Sequence, residues 1–172
     1  TLGVTGNTTI GGTLVNTGLI TASAGVAIGG TGSANTLDDY EEGTFVPKFA
    51  FGGGTSGSSY AIRTGFYTKI GRLVYFTLRL ELSARGSSTG AITIEDLPFT
   101  TLSTSHSESS AYVGFMDSGS SNFDTNNLTL VLDTNGTTIR VRRINSGSSG
   151  EFNQSDFGST AQMIVSGTYM TS

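Results

Sequence analysis

The stretch "RLVYFTLRLELS", from Arg72 to Ser83, constrains this chain more than any other. Val74, Phe76, Leu78, Leu80 and Leu82 fall on one side of an extended backbone, and Tyr75, Thr77, Arg79 and Glu81 on the other. Side chains alternate faces along a strand, so this period of two marks a strand with one buried face. The same alternation recurs from Thr44 onward. Phe45, Phe49 and Phe51 are expected inward. Tyr60, Ile62, Phe66 and Ile70 form one side of "YAIRTGFYTKI". Ile92 and Ile94, then Ala111, Val113 and Phe115, then Leu128, Leu130 and Leu132 continue the pattern. Ile139 and Val141, and finally Met163, Val165 and Tyr169, complete it. That makes about eight strands with turn signals between them, the spacing of a sandwich or jelly roll. "DTNGT", Asp133–Thr137, is a hairpin signal because Asn-Gly readily takes positive φ. No apolar periodicity of helical length interrupts the strands.

Composition agrees. Charged residues are 13% of the chain, against roughly 25% in ordinary soluble domains. Gly, Ser, Thr and Asn replace them, and these are turn formers and weak helix formers. The net charge of -4, with 9 Lys and Arg in all, offers no basic stripe for nucleic acid. Arg140, Arg142 and Arg143 read as a solvated strand face. No apolar run approaches the roughly 18 residues of a membrane span, and no signal peptide is expected. The absence of Cys rules out disulfides and thiolate metal sites. The chain begins at Thr1 without Met, and a longer parent protein is expected.

Residues 1–35 differ. "GNTTIGGTL" and "GVAIGGTGS" echo one another, and Leu2, Val4, Ile10, Leu14, Leu19, Ile20, Val26 and Ile28 come singly or in pairs between Gly and Asn. This predicts short strands broken by tight turns. One copy cannot bury such scattered side chains. The stretch is therefore either a linker or a segment that several chains wrap together into a thin shared core. The second reading implies an intertwined homo-oligomer, with a trimer as the expected symmetry. The resulting architecture is all-β: a fibrous stalk and neck over residues 1–43, then a jelly-roll-like β-sandwich head over residues 44–172. At the junction stands "TLDDYEEGTFVP", with Asp38, Asp39, Glu41 and Glu42 around Tyr40. It reads first as the neck of the oligomer, with Tyr40 as an apolar contact, and second as a cation site. Pro47 suggests an edge strand.

Catalytic chemistry finds little support. His106 is the one His, in a Ser-rich loop where a neighbouring Ser carries no information. Adjacent acids such as Glu95 and Asp96 point to opposite faces of an extended chain and do not preorganise a cleft. The EF-hand loop and the GK[ST] phosphate loop are both absent. No catalytic residue, metal or cofactor is assigned. Binding is the more natural use of the loops. Phe123, Phe152 and Phe157 sit among polar residues. Each either folds back into the core or serves as a platform beside Asp124, Asn126, Asn153 and Asp156, an arrangement that suits sugars.

Taken in order, "GNTTIGGTL", "ANTLDDYEEGTFVPKF", "RTGFYTKIGRLVYFTLRLEL" and "STGAITIEDLPFT" resemble the distal part of tail fibre and related tail structural proteins of tailed bacteriophages. The match is strongest over residues 35–100. The resemblance implies a trimeric virion protein, located in a tail fibre or tail tip, whose head contacts a host-surface glycan or protein receptor and whose other partners are virion tail proteins. It brings no catalytic residue. A purely structural capsid fibre or tail adaptor is the alternative, and a fragment of a polysaccharide-degrading spike is a third.

Overall fold

In a computed structural model, which describes residues 4–120, 125–145 and 148–172, the Arg72–Ser83 alternation is realised side chain by side chain. Val74, Phe76, Leu78, Leu80 and Leu82 are all buried, while Tyr75 is exposed. The protein is all-β and divides into a smaller unit, residues 1–38, and a larger one, residues 39–172.

The smaller unit holds one pair of two-residue strands, β1 (Val26–Ala27) and β2 (Thr36–Leu37), joined antiparallel. Gly25 takes φ +90° and packs so closely on Asp38 that a Cβ there would lie 2.7 Å from the Asp38 side chain. No other strand forms among the described residues before Val26. The apolar side chains expected to pool into a shared core stand open in one copy. Leu19 is 93% exposed, and Val4, Ile10, Leu14 and Ile20 are also uncovered.

The larger unit contains β3 (Tyr40–Phe45), β4 (Lys48–Phe51), β5 (Ser59–Ile70), β6 (Leu73–Ala84), β7 (Ile92–Glu95), β8 (Ser109–Asp117), β9 (Leu128–Leu132), β10 (Ile139–Asn145), β11 (Ser148–Glu151) and β12 (Gln162–Met170). They form one ten-stranded sheet in the order β3-β5-β6-β12-β8-β9-β10-β7-β4, with β11 on β10. The layers that a sandwich would supply come from this single sheet, curled over its own core. The chain itself requires the curl. β3 and β4 lie at opposite ends of the strand order, yet only Val46 and Pro47 separate them. Three peptide units span at most about 11 Å, so the two ends of the sheet must approach each other. Tyr60 of β5 reaches across this seam. Its hydroxyl accepts from the Phe49 N–H at 2.9 Å and donates to the Phe49 carbonyl at 3.2 Å. Arg63 donates to the Pro47 carbonyl at 2.6 Å.

Edge-to-face aromatic pairs fill the core. Phe45 meets Phe76, Phe49 and Phe51 meet Phe157, and Phe76 meets Tyr169. The Tyr169 hydroxyl accepts from the Phe99 N–H and donates to the Phe99 carbonyl. Burial raises its pKa to about 12. The hairpin at Asp133–Thr137 turns β9 into β10 with Asn135 at φ +55°.

Two β-bulges change the expected faces. Tyr60 pairs with Leu82 and Ile62 with Glu81, so Ala61 is an extra residue in β5. Beyond it the alternation is inverted. Gly65, Tyr67 and Lys69 point inward, and Phe66 and Ile70, expected in the core, are exposed. In β8, Val113 pairs with Val165 and Phe115 with Ile164, so Gly114 is the extra residue. Phe115, also expected inward, is exposed, and Met116 packs on the core instead.

The acidic stretch is likewise placed differently. Tyr40, Glu41 and Glu42 are strand residues of the larger unit, paired with Ile70, Lys69 and Thr68. They are part of the sheet, and the boundary between the two units falls between Asp38 and Asp39, five residues before the expected end of the stalk at residue 43.

Candidate functional site

The acids near Tyr40 do not converge. Asp39 is ion-paired to Lys69, whose amine is almost fully buried and lies 5.5 Å from the Phe99 ring centre. Tyr67 donates to the Glu41 carboxylate and Tyr40 to that of Glu42. These bonds raise both phenol pKa values, because ionisation would set a phenolate against a carboxylate. Glu41 and Glu42 face opposite sides of the strand. Among the described residues no group of His, Cys, Asp or Glu is arranged to hold a metal ion. Glu95 and Asp96 flank the Lys48 amine at 3.4 and 3.1 Å. Asp96 is the first cause of the raised Lys48 pKa. His106 is exposed in a loop with φ +63°.

The expected ligand contacts separate into two groups. Phe152 and Phe157 are core residues, 1% and 3% exposed, and not stacking platforms. The segment carrying them is tied down by backbone bonds from Ile92 to Phe152 and from Phe152 to Val141, which draws the rings under the sheet. Asp156 is buried too. It accepts from the Asn153 N–H at 2.8 Å and from Arg143 at 2.7 Å, closing a short 3-10 turn, Gln154–Asp156. Arg143 in turn covers the Phe152 ring at 4.4 Å. Asn153 remains exposed beside this structural knot. Phe123 and Asp124 lie outside the described residues. Asn126 belongs to a 3-10 turn, Thr125–Asn127, that leads directly into β9.

The turn that holds Asn126 leads into β9, one wall of a cleft between β8 and β9. β8 pairs with β9 only through Ser109, Ser110 and Ala111. From Tyr112 onward β8 keeps its partner β12, while Thr129 and Leu128 of β9 keep only β10. The bulge at Gly114 accompanies this splaying, since bulges bend a strand and end its pairing on one side. Between the strands opens a cleft of about 550 Å³, lined by Tyr112, Val113, Phe115, Met116, Leu128 and Thr129 among others. This volume is within the range of small-ligand sites. Tyr112 is 76% exposed at its rim and Phe115 nearly half exposed. The β8 edge toward β9 presents backbone N–H and C=O groups with no ladder partner among the described residues. The site thus combines an aromatic face with directional polar groups. Sequence reasoning assigned Phe115 to the core and gave Tyr112 no role. The available signal was Gly114, a lone glycine inside a strand pattern.

No family model matches the chain, and no curated protein does. Among solved structures, the fold is similar to part of the Dettilon tailspike protein. The TM-score is 0.59 at 19% identity, covering 76% of this chain and 24% of that one. The chain thus spans about a quarter of that protein's length. At this identity the likeness is one of fold.

Proposed function

We propose that this chain is a bacteriophage tail protein, part of a homotrimeric virion fibre or tail tip, whose larger unit attaches to a glycan on the host surface. The reading is of adhesion rather than catalysis. The observation that carries it is the β8–β9 cleft, where the Tyr112 ring stands exposed beside backbone groups of β8 that have no ladder partner on β9 among the described residues. A sugar stacks its C–H face on an aromatic ring and satisfies such polar groups with its hydroxyls. The fold shared with a tailspike supports a place in the virion tail. Weak single sites would be reinforced across three copies.

The test is binding of the intact chain to an array of bacterial surface polysaccharides, and to host cells, with Tyr112→Ala and Phe115→Ser as variants. Expected is a hit that both substitutions abolish without changing the melting temperature. Unchanged binding by both variants would remove the cleft from the reading. An array without any hit, together with capture of another virion protein, would favour the structural alternative, which the exposed apolar residues of the sheet also suit.

A further inference from the structure

Gly114 is a glycine that the fold does not require. It lies within β8 and has no positive φ. A Cβ at this position would meet nothing nearer than Ile164, at 3.8 Å, which is ordinary van der Waals contact. Glycine inside a strand weakens it, through backbone entropy and the lack of a side chain to pack. A strand glycine without steric need marks a place where another group approaches the backbone closely.

The neighbouring side chains show what this bareness leaves open. Register sets Tyr112 opposite Ser166 and Phe115 opposite Ile164. Ser166 and Ile164 are two residues apart on β12, about 6.6 Å along the strand. The bulge therefore brings both rings to the outer face at this spacing, where an unbulged strand would turn Phe115 into the core. Gly114 stands between them, exposed and without a side chain. The result is a bare backbone floor with an aromatic ring at either end, along one wall of the cleft.

The cleft also carries no charge. Its lining side chains are aromatic, aliphatic or hydroxyl-bearing, with no Lys, Arg, Asp or Glu. The next charge along β8 is Asp117, whose carboxylate accepts from the Gly119 N–H at 2.9 Å. Arg142, one strand beyond Thr129, has Glu151 as its register neighbour and is itself engaged. A carboxylate or phosphate entering here would lose water without gaining a cationic partner. Hydroxyl groups can exchange water for the β8 backbone groups that have no ladder partner on β9 among the described residues.

We propose that Gly114 forms a saccharide subsite, in which an uncharged pyranose unit lies over its backbone between Tyr112 and Phe115, and that the polysaccharide bound is a neutral one. The subsite rests on the glycan reading of the cleft and adds to it the position and the charge class of the sugar.

The test uses the full chain, an array of neutral and acidic bacterial polysaccharides, and calorimetric titration of the best hit. Gly114→Val puts a branched side chain on the floor, and Gly114→Ala only a methyl. Expected are hits among neutral polysaccharides, with affinity unchanged as salt rises, since no ion pair is there to be screened. Gly114→Val should weaken binding by about tenfold or more, the equivalent of one good stacking contact. Gly114→Ala should weaken it by a smaller factor, and both should melt at or above the parent temperature. Where Gly114→Val lowers the melting temperature, Gly114→Ala decides, because its methyl meets only Ile164. Parent-like affinity in the deciding variant, with binding lost in Tyr112→Ala, would overturn the subsite and leave the cleft as the glycan site. Hits confined to acidic polysaccharides and weakened by salt would overturn the charge class alone. An array without any hit would overturn the subsite together with the glycan reading.

Discussion

Phe157→Ala separates a core residue from a ligand platform. The ring is 3% exposed and meets Phe49 at 5.2 Å and Phe51 at 6.2 Å between centroids, both edge to face. Burying a phenylalanine is worth about 1.5–3 kcal/mol, and each well-formed aromatic pair adds about 0.5–1.5 kcal/mol. The enclosing β4 strand resists collapse because Phe49 is held at both its N–H and its carbonyl by Tyr60. A cavity therefore persists, and the total should fall near the usual cost of about 3–5 kcal/mol for such a truncation. For a unit of this size that lowers the melting temperature by roughly 10–15 °C. The assay is thermal and urea unfolding by circular dichroism at one fixed protein concentration, because association of copies, where it occurs, makes apparent stability depend on concentration. Tyr112→Ala is the control, expected within about 0.5 kcal/mol of the parent because its side chain is largely in water. A Phe157→Ala protein that melts within a few degrees of the parent, yet loses polysaccharide binding, would refute the core assignment.

Other substitutions probe separate links in the same structure. Tyr169 has a folded pKa of about 12, above its unfolded value of about 10. Its contribution is therefore intact below pH 10 and lost between pH 10 and 12, by up to about 3 kcal/mol. Tyr169→Phe should remove that part of the alkaline slope in a pH series of urea melts. It should also cost about 1–3 kcal/mol at neutral pH, since the Phe99 N–H and carbonyl lose their partner. Gly65→Ala sets a Cβ 2.4 Å from the Phe45 ring, and chemical denaturation should show a loss of about 1–3 kcal/mol from overpacking. Asp39→Asn strands the buried Lys69 amine and should destabilise by about 1–2 kcal/mol, the half-exposed carboxylate limiting the effect. Lys69→Met should be milder, as it removes the charge that needs the partner.

Much of the larger unit is legible because burial on one face imposes period two directly on composition. Val74 through Leu82, Leu128 through Leu132 and Met163 through Tyr169 needed no tertiary information. Phe66, Ile70 and Phe115 were misread for one shared reason. A bulge inserts a residue without altering the letters around it, and every side chain beyond it changes face. Ala61 is invisible as a bulge, whereas Gly114 at least hints at one. The functional reading suffered from the same limit. Aromatics in a polar loop look alike whether they fold under the sheet, as Phe152 and Phe157 do, or stand open. The cleft rim at Tyr112 depends on where β8 stops pairing with β9, which is a property of two strands and not of either segment.

By itself, then, the sequence determined the all-β class, eight of the larger unit's ten strands (β3 and β11 were not expected), the Asn135 turn and the contrast between the Gly-rich residues 1–35 and the strand pattern that follows. These follow from local alternation, turn chemistry and charge density, all of which are written residue by residue. Tertiary structure decided that one sheet curls over its own core, because two residues must join its opposite ends. It decided which face of β5 meets solvent, because a bulge reverses parity. It also gave the acids around Tyr40 their partners, since Lys69 and Tyr67 arrive from a strand more than twenty residues further along the chain.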